Sequence, residues 1–144
     1  MSNEIPSSRT VVSGFLLAGA YNVLGMLAFS KLFTNELLSA NDPAVFSWLG
    51  QVAIVLWGLA YWSVARTYRY VPCLVLVFCI EKLVYTGTWM RWLLENGQAL
   101  PDIASVSPLT AIFFAIYGAG DLVFGIFFGW VAIKTLRGGL NAVA

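Results

Sequence analysis

Apolar residues run almost unbroken through four stretches of the chain, near residues 10–33, 45–65, 71–93 and 108–134, with short polar connections between them. A hydrocarbon layer about 30 Å thick takes roughly 20 residues of α-helix to cross, so each stretch predicts one transmembrane span. Backbone inside lipid has to satisfy its own hydrogen bonds, which favours helices for four such runs. The pattern therefore predicts an all-α fold: an integral membrane four-helix bundle, with a single membrane domain over residues 1–144. Local punctuation supports the boundaries. Asp42 before Pro43 and Ser107 before Pro108 set a capping side chain ahead of a helix-opening proline, and Pro72 opens the third run. The connection "TNELLSANDP" reads as a short polar loop with room for a helical turn.

Composition strengthens the membrane reading. With 144 residues, 60% hydrophobic and 10% charged, and a mean hydropathy of +0.81, the chain has more apolar surface than one soluble core of that size hides. The first run is too long for a removable signal peptide and lacks a small-residue cleavage site, so it is expected to stay as a span. Arg9, Arg66, Arg69, Lys134 and Arg137 fall on one side of the expected bundle, and Lys31 and Arg91 on the other. Basic loops are retained in the cytoplasm, so the bias predicts a multi-pass inner (plasma) membrane protein with both termini cytoplasmic. Trp48, Trp89 and Trp92 near one set of span ends, and Trp62 and Trp130 near the other, are placed as interfacial anchors, whereas Trp57 lies well inside its run.

Several chemistries drop out. A net charge of +1 without a basic patch argues against nucleic acid as a partner. The absence of histidine removes the usual ligand of haem, zinc and copper and the usual general base, so neither a metal nor a cofactor is expected. Cys73 and Cys79 point about 240° apart on one helix, cannot bridge, and read as small apolar residues. "YGAGD" has the letters of a phosphate loop but lies inside an apolar helix, where helix packing explains its glycines better.

The informative positions are the polar ones inside the runs. Counted from the cytoplasmic ends at about 1.5 Å per residue, Asn22, Gln51, Glu81, Lys82 and Asp121 all reach depths of roughly 15 to 21 Å. Charge at that depth costs a few kcal/mol per residue, so these groups are expected to face inward and meet. Tyr117, Asp121, Gly125 and Gly129 recur every four residues, as do Gly14, Ala18 and Asn22, which predicts that the first and fourth spans pack with Asn22 near Asp121. Glu81 and Tyr85 share one helix face, while Lys82 lies about 100° around and reaches other partners. Two acids against one base leave one carboxyl unmatched, expected to hold a proton. The candidate site is Asn22, Glu81, Lys82 and Asp121, lined by Tyr85, Tyr117, Trp57 and Gln51.

Three functions fit this pattern: binding or transport of a small solute or ion, with proton coupling; an enzyme or binding protein for a lipophilic ligand of sterol, quinone or prenyl type; and an accessory subunit whose polar cluster serves assembly. No catalytic residue can be assigned. The expected partners are the lipid bilayer, a small solute or lipophilic ligand, and further copies of the chain or the subunits of a membrane complex.

Overall fold

The computed structural model describes residues 8–141, with side chains as far as residue 138. The polar segment before residue 8 and the last three residues of the expected 1–144 domain lie outside the described residues. Seven α-helices follow in chain order: α1 (Ser8–Phe29), α2 (Glu36–Asn41), α3 (Pro43–Phe46), α4 (Trp48–Val64), α5 (Pro72–Asn96), α6 (Leu100–Val106) and α7 (Pro108–Asn141). Among the described residues there is no strand. Arg9–Phe29, Pro72–Val106 and Pro108–Gly138 are long and apolar enough to cross a membrane, while α4 is apolar but only 17 residues long. Leu17, Leu24, Leu56, Leu83 and Val123 point outward and stay exposed, so the bundle is greasy on its outside as well as within.

The long helices associate as two antiparallel pairs. In one pair, Asn22 Nδ2 of α1 donates to the Ile54 carbonyl of α4, and Trp62 Nε1 donates to the Leu16 carbonyl, so residue numbers rise along one helix as they fall along the other. The crossing is close because Gly19 and Gly58 face each other: a Cβ on either would sit 2.8 or 2.9 Å from the other's carbonyl oxygen. Such small-residue contacts drive helix association where lipid removes the hydrophobic incentive. In the other pair, Lys82, Thr86 and Trp89 of α5 meet Asp121, Gly118 and Phe114 of α7 in turn. Gly125 and Gly129 belong to this second crossing, opposite the Lys82 stem and Cys79. The glycine stripe of α7 thus packs on α5 rather than on α1, and α1 touches α7 less than it touches α4.

Two end boundaries differ from the hydropathy reading. The first run extends to residue 33 in apolarity, yet α1 stops at Phe29, because Lys31, Leu32 and Phe33 take left-handed conformations with φ of 51°, 57° and 68°. The turn is held by Leu32 N–H on the Leu27 carbonyl, Phe33 N–H on Ser30 Oγ, and Asn35 Nδ2 on the Phe29 carbonyl and on Thr110 Oγ1. The second difference is at Asp42, which caps the one-turn helix α3 by accepting from Val45 N–H, whereas α4 begins at Trp48 under a separate cap, Ser47. Ser107 caps α7 as its sequence position suggests, accepting from Thr110 N–H.

The core divides at mid-depth. At the end where α1 begins and α4 joins α5, here the termini end, Phe15, Tyr61, Tyr68, Phe78 and Phe128 form a packed aromatic cluster. Toward the opposite, loop end, where α2, α3 and α6 lie, a second cluster joins Met26, Leu38, Phe46, Trp92, Phe114 and Tyr117. Trp89 and Trp92 are drawn into this packing: their indole N–H groups donate to the Phe114 and Asn41 carbonyls. Trp48 remains exposed.

Candidate functional site

Lys82 is the centre of the polar layer. It is 1% exposed, and its ammonium lies 2.5 Å from Asp121 Oδ1 and 2.6 Å from Asn22 Oδ1. Its charge also faces the rings of Tyr61 and Tyr21, whose centroids are 5.4 and 5.7 Å away. One ammonium therefore gathers side chains from all four long helices. Asn22 completes the tie by donating to the α4 backbone at Ile54. Removing one member of such a pair leaves an uncompensated interior charge, a loss of about 3–5 kcal/mol.

Glu81 points elsewhere, as one residue of helical rotation requires. Its Oε2 accepts a short hydrogen bond from the Tyr61 hydroxyl, while its Oε1 is buried without a partner. Tyr61 was not marked by its own position in the sequence, since a tyrosine in an apolar helix is most often a packing residue. Its signal is relational: a hydroxyl on α4 that can reach the carboxyl left over by the charge count.

Beside this layer, on the loop side, lies a cavity of about 80 Å³. Glu81, Lys82, Asp121 and Asn22 form its polar wall, with Tyr85 and Tyr117 next to them. The rest is apolar: Met26, Phe29, Phe46, Ile54 and Phe113. Tyr21 and Ile116 also line it, and both are partly exposed on the outer surface, at 37% and 54%; the Tyr21 hydroxyl donates to the Tyr117 carbonyl across the seam between α1 and α7. Gly25 lies on the same wall, and a Cβ there would meet nothing within 4 Å. Tyr21, Gly25 and Phe29 form a stripe at four-residue spacing on α1, a pattern visible in the sequence but carrying no charge to mark it.

Among the described residues, four buried side-chain atoms lack a hydrogen-bond partner: Asp42 Oδ2, Gln51 Oε1, Glu81 Oε1 and the Tyr117 hydroxyl. Two of them, on Glu81 and Tyr117, belong to residues that line the cavity. At Asp42, outside the spans, burial pushes the carboxyl above its ordinary value, and the Val45 and Ala44 N–H groups pull it back.

Six of the eight expected site residues therefore surround one space, and two do not. Gln51 lies in the first turn of α4, because that helix is shorter than its apolar run; its amide donates to the Phe46 carbonyl instead of joining the lysine. Trp57 belongs to the termini-end packing, edge-on to Phe78 with centroids 6.2 Å apart. Among the described residues no group of three or more acidic or cysteine side chains could hold a metal ion. No family model, no curated protein and no solved structure matches this chain.

Proposed function

We propose that this is a four-span membrane protein that binds a small molecule with an apolar body and a polar head, admitted from the bilayer between α1 and α7. The observation that carries the reading is Glu81, which lines a mostly apolar cavity and has one carboxyl oxygen, Oε1, buried without a hydrogen-bond partner. A buried polar atom without a partner costs free energy, and a ligand's polar head would relieve that cost. Cavities that combine apolar walls with a few convergent polar groups are the usual form of small-molecule sites. The exposed parts of Tyr21 and Ile116 face the same surroundings as the outward leucines, which favours a lipid-dissolved ligand over a water-soluble one.

In this reading α4 also crosses the membrane, as the second of four spans. Its 17 residues rise about 25 Å, short of an average bilayer by an amount that local thinning absorbs. The five-to-two bias of basic residues supports an inner membrane orientation with the termini cytoplasmic and the cavity nearer the outer leaflet. A purely structural cluster would account for the lysine, whose partners are complete, but leaves the bare carboxyl oxygen without a role.

Native mass spectrometry of the protein released from membranes tests this reading. The expected result is a co-purified small molecule on the wild type that is absent from Gly25→Leu, a change that fills the cavity and removes no polar group. Equal occupancy of the two proteins, or none on either, would sink it.

A further inference from the structure

The polar wall is selective in charge. Lys82 is the only basic residue lining the cavity, and its ammonium is already committed to Asp121, Asn22 and the two tyrosine rings. An anionic head entering the cavity would find no free cation and two carboxyls. The groups facing Glu81 are Tyr61 from α4, Lys82 and Tyr85 from α5, and Asp121 from α7. Tyr61 is already bonded to Oε2, and the lysine is turned toward Asp121. The second carboxyl oxygen is left with no donor at all, although Glu81 as a whole is only 8% exposed.

Counting the wall gives two acids and one base, so the site lacks one positive charge. The remaining walls suit a cation as well. Tyr21, Tyr85, Phe29, Phe46 and Phe113 present aromatic rings to the space, and ring faces attract ammonium groups, the more so away from water. A water needs about 10–15 Å³ by this measure, so the cavity takes about six waters, or an ammonium head with a few methylenes behind it.

Building on the small-molecule reading above, we infer that the ligand is a lipophilic organic cation, an amine carried as its ammonium, whose head pairs with the Glu81 carboxyl. In the empty site the missing positive charge is supplied by a proton on that carboxyl, because an unmatched carboxylate is costly inside a membrane protein. Binding is then an exchange: the Glu81 O–H bond breaks, the proton leaves to solvent, and the ammonium takes its place. No bond of the ligand changes. Lys82 and Asp121 stay paired throughout and hold the wall in position.

A matched headgroup series separates this inference from the reading beneath it. Hexylammonium, hexanol and hexanoate share one tail and carry charges of opposite sign or none. Binding to the wild type in lipid nanodiscs is measured against Gly25→Leu, which subtracts partition into lipid. Saturable binding of hexylammonium at least tenfold tighter than either analogue is expected, tightening as pH rises. Close to one proton should be released per molecule bound, read with a dye in weak buffer. Glu81→Gln keeps an acceptor for Tyr61 and should lose both the preference and the proton release. The wild-type series stands by itself if that variant folds poorly. Hexanol or hexanoate binding as tightly as hexylammonium, or binding without proton release, overturns the cation assignment and leaves the cavity reading intact. Equal behaviour of all three compounds on the wild type and on Gly25→Leu overturns both.

Discussion

The two halves of the bundle use aromatic residues in opposite ways. At the termini end, Tyr61, Phe78, Phe128 and Phe15 interlock with ring centroids 4.9 to 5.5 Å apart, and among the described residues no buried polar side-chain atom there is left unpaired. At the loop end, rings of the same kind border a cavity, and among the described residues every unpaired buried polar side-chain atom lies there or at its edge. The same end holds three consecutive left-handed residues, a conformation that costs roughly 1–2 kcal/mol per non-glycine residue. One half pairs its buried polar side chains, while the other carries unmet polar groups and strain. Natural chains concentrate such departures where function requires them.

The comparison is most severely tested at the boundary between the halves. Lys82→Met should cost about 3–5 kcal/mol, because Asp121 and Asn22 lose their common partner and two acids remain without a base. Unfolding in mixed micelles measures it, and adding Asp121→Leu should restore a large part of the loss. A cost below about 1 kcal/mol for the single change would mean that the lysine does not hold the layer together.

Next in size is the contrast between the halves themselves. Phe128→Ala should cost about 4 kcal/mol, since its site is enclosed by rings on several sides. Phe113→Ala should cost about half as much, because its ring already borders open space that helix side chains can relax into. Equal losses would remove the distinction between a filled and a half-empty core.

Leu32→Gly should move stability the other way, by about +1 kcal/mol, as glycine adopts φ of 57° without strain and the leucine is 69% exposed. A destabilised variant would show that the turn is held without strain. The smallest effect concerns Asp42, whose carboxyl is raised from its ordinary value of 3.8 by burial. The folded state binds that proton more tightly than the unfolded chain does. This contribution is therefore full below pH 3.8 and is lost as pH rises through the folded value. Asp42→Asn should flatten that part of the melting-temperature profile; an unchanged slope would assign it to other groups.

Much of the site was legible because depth and face follow from helix geometry. Asn22, Glu81, Lys82 and Asp121 converge as their spacing requires, and the separation of Glu81 from Lys82 follows from 100° per residue. Gln51 and Trp57 miss the cavity for a reason invisible in hydropathy: α4 starts only at Trp48, under the Ser47 cap, so Gln51 falls in its first turn. The α1 with α4 pairing through Gly19 and Gly58 was equally hidden, since single glycines on two helices give no repeat to recognise.

By itself the sequence determined that the chain is helical, apolar beyond the needs of a soluble core, and burdened with charges that must meet at one depth. Those are consequences of composition and of a 1.5 Å rise, and no partner is needed to derive them. Tertiary structure alone decided which helices pair, which acid takes the lysine, and which carboxyl oxygen is left without a partner. Pairing depends on the fit of glycines against side chains from distant parts of the chain, a matter of shape rather than of pattern.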